Sequence, residues 1–172
     1  VKERKIPVSN VRGYSTTSVV QQVFASLLEV LNKPSWYFDQ VNKKRWVNCP
    51  DFCFIDHSIR ELSTLTLGII GFGQIGSKLA EVGLSMGMKV LAYNKSKKQA
   101  QGVDFTRSLD DLLSQSDVVS LHLPLSDESR AMINQNTLTK MKDNAILINT
   151  GRGPLIDENE LSQHLKANPA FT

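Results

Sequence analysis

An α/β fold built on a parallel sheet is predicted by three features of the sequence. Short apolar runs, as expected of strands buried on both faces, alternate with stretches whose apolar residues recur at helical spacing. A glycine-rich turn, Gly71-Phe72-Gly73-Gln74-Ile75-Gly76, joins the first buried run to a helix. Apolar residues make up 41% and charged residues 22% of the 172, which is enough to enclose the core of one domain and too apolar for disorder.

The elements follow in order. Residues 6–10 are a short strand candidate and Gly13 marks a turn. Ser18-Val19-Val20-Gln21 fits a capping box, with the Ser18 hydroxyl accepting from the third backbone N–H and Gln21 reaching back. Beyond it Val20, Phe24, Leu28 and Val23, Leu27, Leu31 recur at helical spacing until Pro34 ends the element. Residues 32–64 read as irregular and aromatic-rich, with Trp36, Tyr37, Phe38, Trp46, Phe52 and Phe54. These aromatics either fold back on their own domain or form an interface with a second copy of the chain. From residue 65 the alternation begins. Strands are expected at 65–70, 89–93, 117–121 and 145–149, and helices at 75–86, 109–113, 136–142 and 157–166. Asp157 and Glu158 fall in the first turn of the last helix, where the helix dipole favours negative charge. A further strand is expected after Pro169.

Charge and cysteine content narrow the function classes. Lys plus Arg is 20 and Asp plus Glu 17, a net charge of +3 with no long basic run, so no nucleic-acid partner is expected. No apolar stretch approaches the ~18 residues of a membrane helix. The charged start Val1-Lys2-Glu3-Arg4-Lys5 has no apolar region behind it and does not read as a signal peptide. Two cysteines make no disulfide framework, and the expected compartment is the reducing cytoplasm. Cys49, Cys53 and His57 recur every four residues, but Pro50 interrupts a helix there and no fourth ligand stands out beyond Asp51 or Asp56. Free thiols and no metal are expected. The chain starts at Val1 and stops within Pro169-Ala170-Phe171-Thr172, and both ends read as cut.

The glycine turn carries the first chemistry. Following a strand and opening a helix, it has the context in which such a motif binds a dinucleotide. Gly71 permits the tight turn, Gly73 lets the backbone approach a pyrophosphate, and Gly76 lets helix and strand pack closely. The helix N-terminus offers unpaired N–H groups to the phosphates. A P-loop is excluded, because Ser77-Lys78 follows Gly76 where that motif needs lysine first. The second strand ends in Tyr93-Asn94-Lys95-Ser96-Lys97-Lys98. An acidic residue there would bond the ribose 2′-hydroxyl of NAD and repel a 2′-phosphate. Asn94 would not repel it and Lys95 could pair with it, so the reading favours NADP over NAD.

Three segments in order resemble the D-isomer-specific 2-hydroxyacid dehydrogenases: 68–76 around the glycine turn, Leu121-His122-Leu123-Pro124-Leu125, and 141–153 ending Asn149-Thr150-Gly151-Arg152-Gly153. The resemblance covers the chain from about residue 5 onward. It implies a Rossmann-type, doubly wound parallel sheet, incomplete at its C-terminal end. Residues 1–14 would be a stub of the substrate domain and linker, and 15–172 a truncated cofactor domain. The 15–31 helix and residues 32–64 would contribute to a homodimer contact. The implied activity is hydride transfer between NAD or NADP and a small 2-hydroxy or 2-oxo acid. Arg152 matches the family's catalytic arginine. A guanidinium suits that role because it can hold a carboxylate and polarise the adjacent carbonyl. By the same resemblance Gln74 and Ile75 contact the pyrophosphate, and His122, Leu123 and Pro124 line the adenosine side. Ser129 stands where a threonine is common, and Thr150 and Gly151 belong to the nicotinamide-side loop. The family's histidine and glutamate pair matches no residue of this chain; His57, His122 and His164 are read as structural. Two other readings stand beside the enzyme: a non-catalytic dinucleotide-binding module, and an interaction protein using residues 36–54.

Overall fold

A sheet of five strands forms the centre of the molecule, seen in a computed structural model that describes residues 4, 6, 7, 9–11 and 13–172. The strands are β1 (Thr66–Ile70), β2 (Lys89–Tyr93), β3 (Val103–Phe105), β4 (Val118–Leu121) and β5 (Ile146–Asn149). All pair in parallel, in the order β3-β2-β1-β4-β5. The chain runs outward from β1 on one side and then returns to begin again at β4. The switch point therefore lies between β1 and β4, where open α/β sheets bind ligands.

Helices cover both faces. They are α1 (Thr16–Asn32), α2 (Pro34–Asn42), α3 (Gln74–Ser85), α4 (Leu109–Gln115), α5 (Gln135–Leu138) and α6 (Glu158–Ala167). Alternate strand residues point to opposite faces, and the core divides accordingly. Leu67, Ile69, Val90, Ala92 and Ile146 pack beneath Val23, Leu27 and Leu31 of α1 and Leu79 of α3. Ile70, Leu91, Val119 and Leu121 pack against Leu112 and Leu113 of α4 and Leu138 of α5. This is the doubly wound α/β fold expected from the sequence.

Several local expectations are corrected. The capping box at Ser18 does not form: helical winding starts at Thr16, with Ser15 accepting from Val19 N–H at 2.9 Å, which places Ser18 inside the first turn. Gly13 (φ +69°) turns the chain one residue pair earlier than the polar residues suggested. Residues 32–64 are not wholly irregular, because Pro34 both ends α1 and opens α2 after Lys33 adopts the left-handed conformation (φ 49°). Ile6, Pro7, Ser9 and Asn10 lie outside any strand, and Val8 of that expected strand lies outside the described residues. The three-residue β3 was not foreseen. No strand forms after Pro169 among the described residues, although Thr172 donates to Ala145 O (3.1 Å) and accepts from Leu147 N–H (2.7 Å) beside β5. Asp157 caps α6 by accepting from Asn159 and Glu160 N–H, both at 3.1 Å.

At the end of the sheet remote from the switch-point ligand edge, Asp117 joins four elements. Its carboxylate accepts from Thr66 N–H (2.9 Å), Arg60 (3.1 Å) and Lys142 (3.0 Å), and Arg60 also reaches Asn144 O (3.1 Å). This contact ties the 43–65 segment to the sheet. Removing a largely buried carboxylate that serves two cations and an amide costs about 2 kcal/mol. Asp117→Ala is therefore expected to lower the free energy of urea unfolding by that amount, and an unchanged urea midpoint would show the network to be idle.

Candidate functional site

The C-terminal ends of β1, β2, β4 and β5 lie along one edge, and the sequence-marked residues gather there. The glycine turn leaves β1 and enters α3. Gly71 has φ +98°, and a Cβ there would lie 2.6 Å from His122 O. The turn thus rests directly on the end of β4. A Cβ on Gly76 would lie 2.2 Å from Gly71 O, so the first turn of α3 sits against the loop that precedes it. Gly73 is different: a side chain there would meet nothing within 4 Å. Gly73 is also the N-cap of α3 and supplies no side-chain cap. Among the described residues, the N–H groups of Gly73, Gln74, Ile75 and Gly76 find no protein acceptor. Open space above unpaired N–H groups at a helix N-terminus is suited to an anion.

Asn94, just beyond β2, braces this turn. Its Oδ1 accepts from Phe72 N–H (2.9 Å), and its Nδ2 donates to Ser96 O (2.9 Å) and Ser96 Oγ (2.8 Å). Lys95 extends across to Glu128 at 2.5 Å. Between them and the opposite wall is a cavity of about 430 Å³ lined by Tyr93, Asn94, Lys95, Leu123, Pro124, Ser126, Glu128, Ser129 and Met132. Ser129 is buried, donating to Pro124 O (2.8 Å) and accepting from Ser126 N–H (2.8 Å), so its hydroxyl shapes the 124–129 wall. A second cavity of about 690 Å³ lies outside β2 and β3, and Lys95, Lys97, Lys98 and Arg107 contribute to its walls.

His122 continues β4, its N–H donating to Ile70 O at 2.8 Å. Its Nε2 is 2.8 Å from the Ser120 hydroxyl. Burial pushes its pKa down to about 4, so the imidazole is neutral near pH 7. It lies beside the glycine turn, while Leu123 and Pro124 face the smaller cavity.

Beyond β5, Asn149 shapes the next loop. Its Oδ1 accepts from Gly151 N–H (3.0 Å) and its Nδ2 donates to Arg152 O (2.9 Å). The hydroxyl of Thr150 is buried without a partner. The guanidinium of Arg152 donates to Gly151 O (2.9 Å) and has no acidic partner among the described residues. The expected residues therefore form one row from Lys95 to Arg152, but no single cavity encloses them. Gly71, Gly73, Gln74, Ile75, Gly76, Thr150, Gly151 and Arg152 lie outside the walls of the 430 Å³ cavity. Asn149, Phe72, Glu128 and Arg107 were missed from the sequence. Only Asn149 had a signal, as an Asx residue just before a Thr-Gly turn.

Residues 24–171 match the family described as D-isomer specific 2-hydroxyacid dehydrogenase, NAD binding domain. The chain belongs to that family. A hydroxypyruvate reductase of Blautia hydrogenotrophica is 42% identical to this chain over 168 residues, covering 96% of the chain and 52% of the relative. A D-lactate dehydrogenase from Aquifex aeolicus, solved with NAD and lactic acid, superimposes with a TM-score of 0.83 at 39% identity, over 97% of this chain and 49% of that one. An acyclic imino acid reductase solved with NADPH and D-Arg superimposes with a TM-score of 0.84 at 35% identity, over 99% and 53%. The domain thus spans about half the length of the relatives it matches.

In the aromatic segment, Trp36 meets Tyr37 and His57 edge-on at 4.9 and 4.6 Å, and Arg45 lies 4.5 Å over Phe54. Part of the segment therefore does fold back on itself. Phe38 (69%), Val47 (74%) and Phe52 (92%) remain exposed. Cys49 and Cys53 are free and sit in an irregular stretch, with Cys49 Sγ 3.6 Å from Cys53 O. Among the described residues, no helix is long and apolar enough to cross a membrane.

Proposed function

We propose that this chain is the cofactor-binding part of an oxidoreductase that moves hydride between a nicotinamide dinucleotide and a D-2-hydroxy acid or its 2-oxo partner. The observation that carries this reading is the open space over Gly73, floored by four unpaired N–H groups and placed between Asn94 and Arg152. The residues present fit a dinucleotide. Gly73, Gln74, Ile75 and Gly76 would hold the pyrophosphate. Leu123, Pro124 and Ser129 would wall the adenosine half, and Thr150 has an unpartnered hydroxyl to offer the other half. When bound, the nicotinamide supplies or accepts the hydride. Arg152 would grip the acid's carboxylate and steady the negative charge growing on the adjacent carbonyl oxygen. Neutral His122 holds no spare proton near pH 7, and its Nε2 already meets Ser120.

The preference for NADP rests on charge. No carboxylate ends β2, and Lys95, Lys97, Lys98 and Arg107 line the outer cavity. Asn94 has both ends of its amide committed to Phe72 and Ser96, which leaves ribose recognition to its neighbours. The catalytic assembly would contain two copies of residues 15–172, with residues 1–14 as the link to a substrate domain. The exposed Phe38, Val47 and Phe52 support a contact between copies. The free thiols are consistent with a cytoplasmic setting.

Calorimetric titration with NADH and NADPH tests the reading. Binding of at least one is expected, with NADPH tighter. Absence of binding by folded protein would overturn it. Binding without reduction of hydroxypyruvate, glyoxylate or pyruvate would identify a non-catalytic module.

A further inference from the structure

Lys95 lines two cavities at once, the adenosine-side cavity of about 430 Å³ and the outer basic cavity of about 690 Å³. Its ammonium, however, is held on the first. Nζ lies 2.5 Å from Glu128, which projects from the opposite wall. The bond spans residues 33 apart in sequence and bridges the mouth between the β2 end and the 122–132 loop. Three other cations of the outer cavity, Lys97, Lys98 and Arg107, have no acidic partner among the described residues, and no carboxylate lines that cavity. The two sides of the Asn94–Lys95 ridge therefore differ in sign. The outer side is cationic and unpaired, while the inner side carries one carboxylate facing the cation closest to Asn94.

We propose that Glu128 is a selectivity residue acting against a 2′-phosphate: it withholds Lys95 from that phosphate, so that a phosphorylated ribose must break the Lys95–Glu128 bond while an unphosphorylated one need not. The proposal rests on the dinucleotide reading above. Lys95 and Glu128 are both largely exposed, with side chains 82% and 74% accessible, so the bond opens easily and tunes selectivity without abolishing either cofactor. The ammonium beside it holds the Glu128 carboxyl below its usual range. Once Lys95 turns outward, Arg107 and Lys97 complete a cationic cluster of the kind that recognises phosphate.

The test measures Kd for NADPH and NADH on the 172-residue chain and on Glu128→Gln, Lys95→Gln and the double variant. Glu128→Gln keeps the size of the side chain and removes its charge. It is expected to tighten NADPH by about two- to fivefold and to leave NADH unchanged. In the Lys95→Gln background the same change is expected to have a much smaller effect, because the bond it releases is gone. Equal changes for both cofactors would make Glu128 a general wall residue and overturn the proposal, as would no change for either. An equal gain with and without Lys95 would show plain repulsion rather than a withheld cation and would also overturn it. Failure of the parent chain to bind either dinucleotide overturns the underlying reading, which separates the two.

Discussion

Gly73→Ala is expected to fold as well as the parent and to bind dinucleotide at least about tenfold more weakly, while Gly71→Ala loses about 3 kcal/mol of stability. The two glycines are two residues apart in one turn, yet their surroundings differ. At Gly71 the backbone is left-handed at φ +98° and an added Cβ falls 2.6 Å from His122 O and 2.8 Å from His122 C. Neither backbone can move without parting β1 from β4, so strain and overlap add. At Gly73 φ is −90° and ψ −157°, an extended conformation open to alanine, with no atom within 4 Å of the new methyl group. The methyl group instead occupies the place where the pyrophosphate must approach the N–H groups of α3. Urea unfolding and calorimetric titration of both variants check this. Unchanged affinity in Gly73→Ala would remove the phosphate from the space above it. Matching stability losses in the two variants would show that the space is not open.

The second large effect is acid sensitivity from His122. Its pKa falls from 6.5 to about 4 because burial penalises the imidazolium, and Ser120 satisfies the neutral ring. Below pH 6.5 the unfolded chain takes up a proton that the folded chain refuses. Stability contributed by this group is therefore full above pH 6.5, falls as the pH drops from 6.5 to 4, and stays low below that. The loss amounts to about 3 kcal/mol. His122→Gln cannot titrate but can still meet the Ser120 hydroxyl. Denaturant unfolding at pH 7 and pH 4 is expected to show a drop larger by about 3 kcal/mol in the parent than in the variant. Equal drops in the two proteins would place the proton elsewhere. Because the His122 backbone abuts Gly71, acid is also expected to loosen the glycine turn before the far face of the sheet.

Strand placement was legible where physics acts locally. Residues 66–70, 89–93, 118–121 and 146–149 are mostly buried, and strands covered by helices on both faces are largely apolar. The order of elements, the parallel pairing and the glycine turn follow from that pattern. Shorter features were not legible. The three residues of β3 carry too little pattern, and Val103-Asp104-Phe105 becomes a strand only because β2 offers it a partner. Ser18 looked like a cap, but caps are decided by where the chain turns, and Gly13 and Ser15 turn it earlier. Pro34 reads as a stop in one helix and is equally the start of the next.

The same division runs through the site. Gly71, Gly73 and Gly76 were assigned their separate roles from spacing alone, because a strand-turn-helix unit constrains each one. Asn94 was read as a neutral residue that tolerates a 2′-phosphate, and its amide is spent on Phe72 and Ser96. Lys95 was read as a phosphate contact, yet it reaches Glu128 across the cavity. Both facts depend on residues brought together from other strands, which spacing along one segment cannot express. By itself, then, the sequence determined the fold class and the place of the glycine turn, because each depends on periodicity or on contacts within a short span, and three motif segments in order carried the family resemblance. Only the tertiary structure decided that His122 is neutral, that Thr150 has a buried hydroxyl to offer, and that a carboxylate opposes the cation beside Asn94. Burial and charge pairing are properties of what surrounds a residue, and that environment exists only once the strands have assembled.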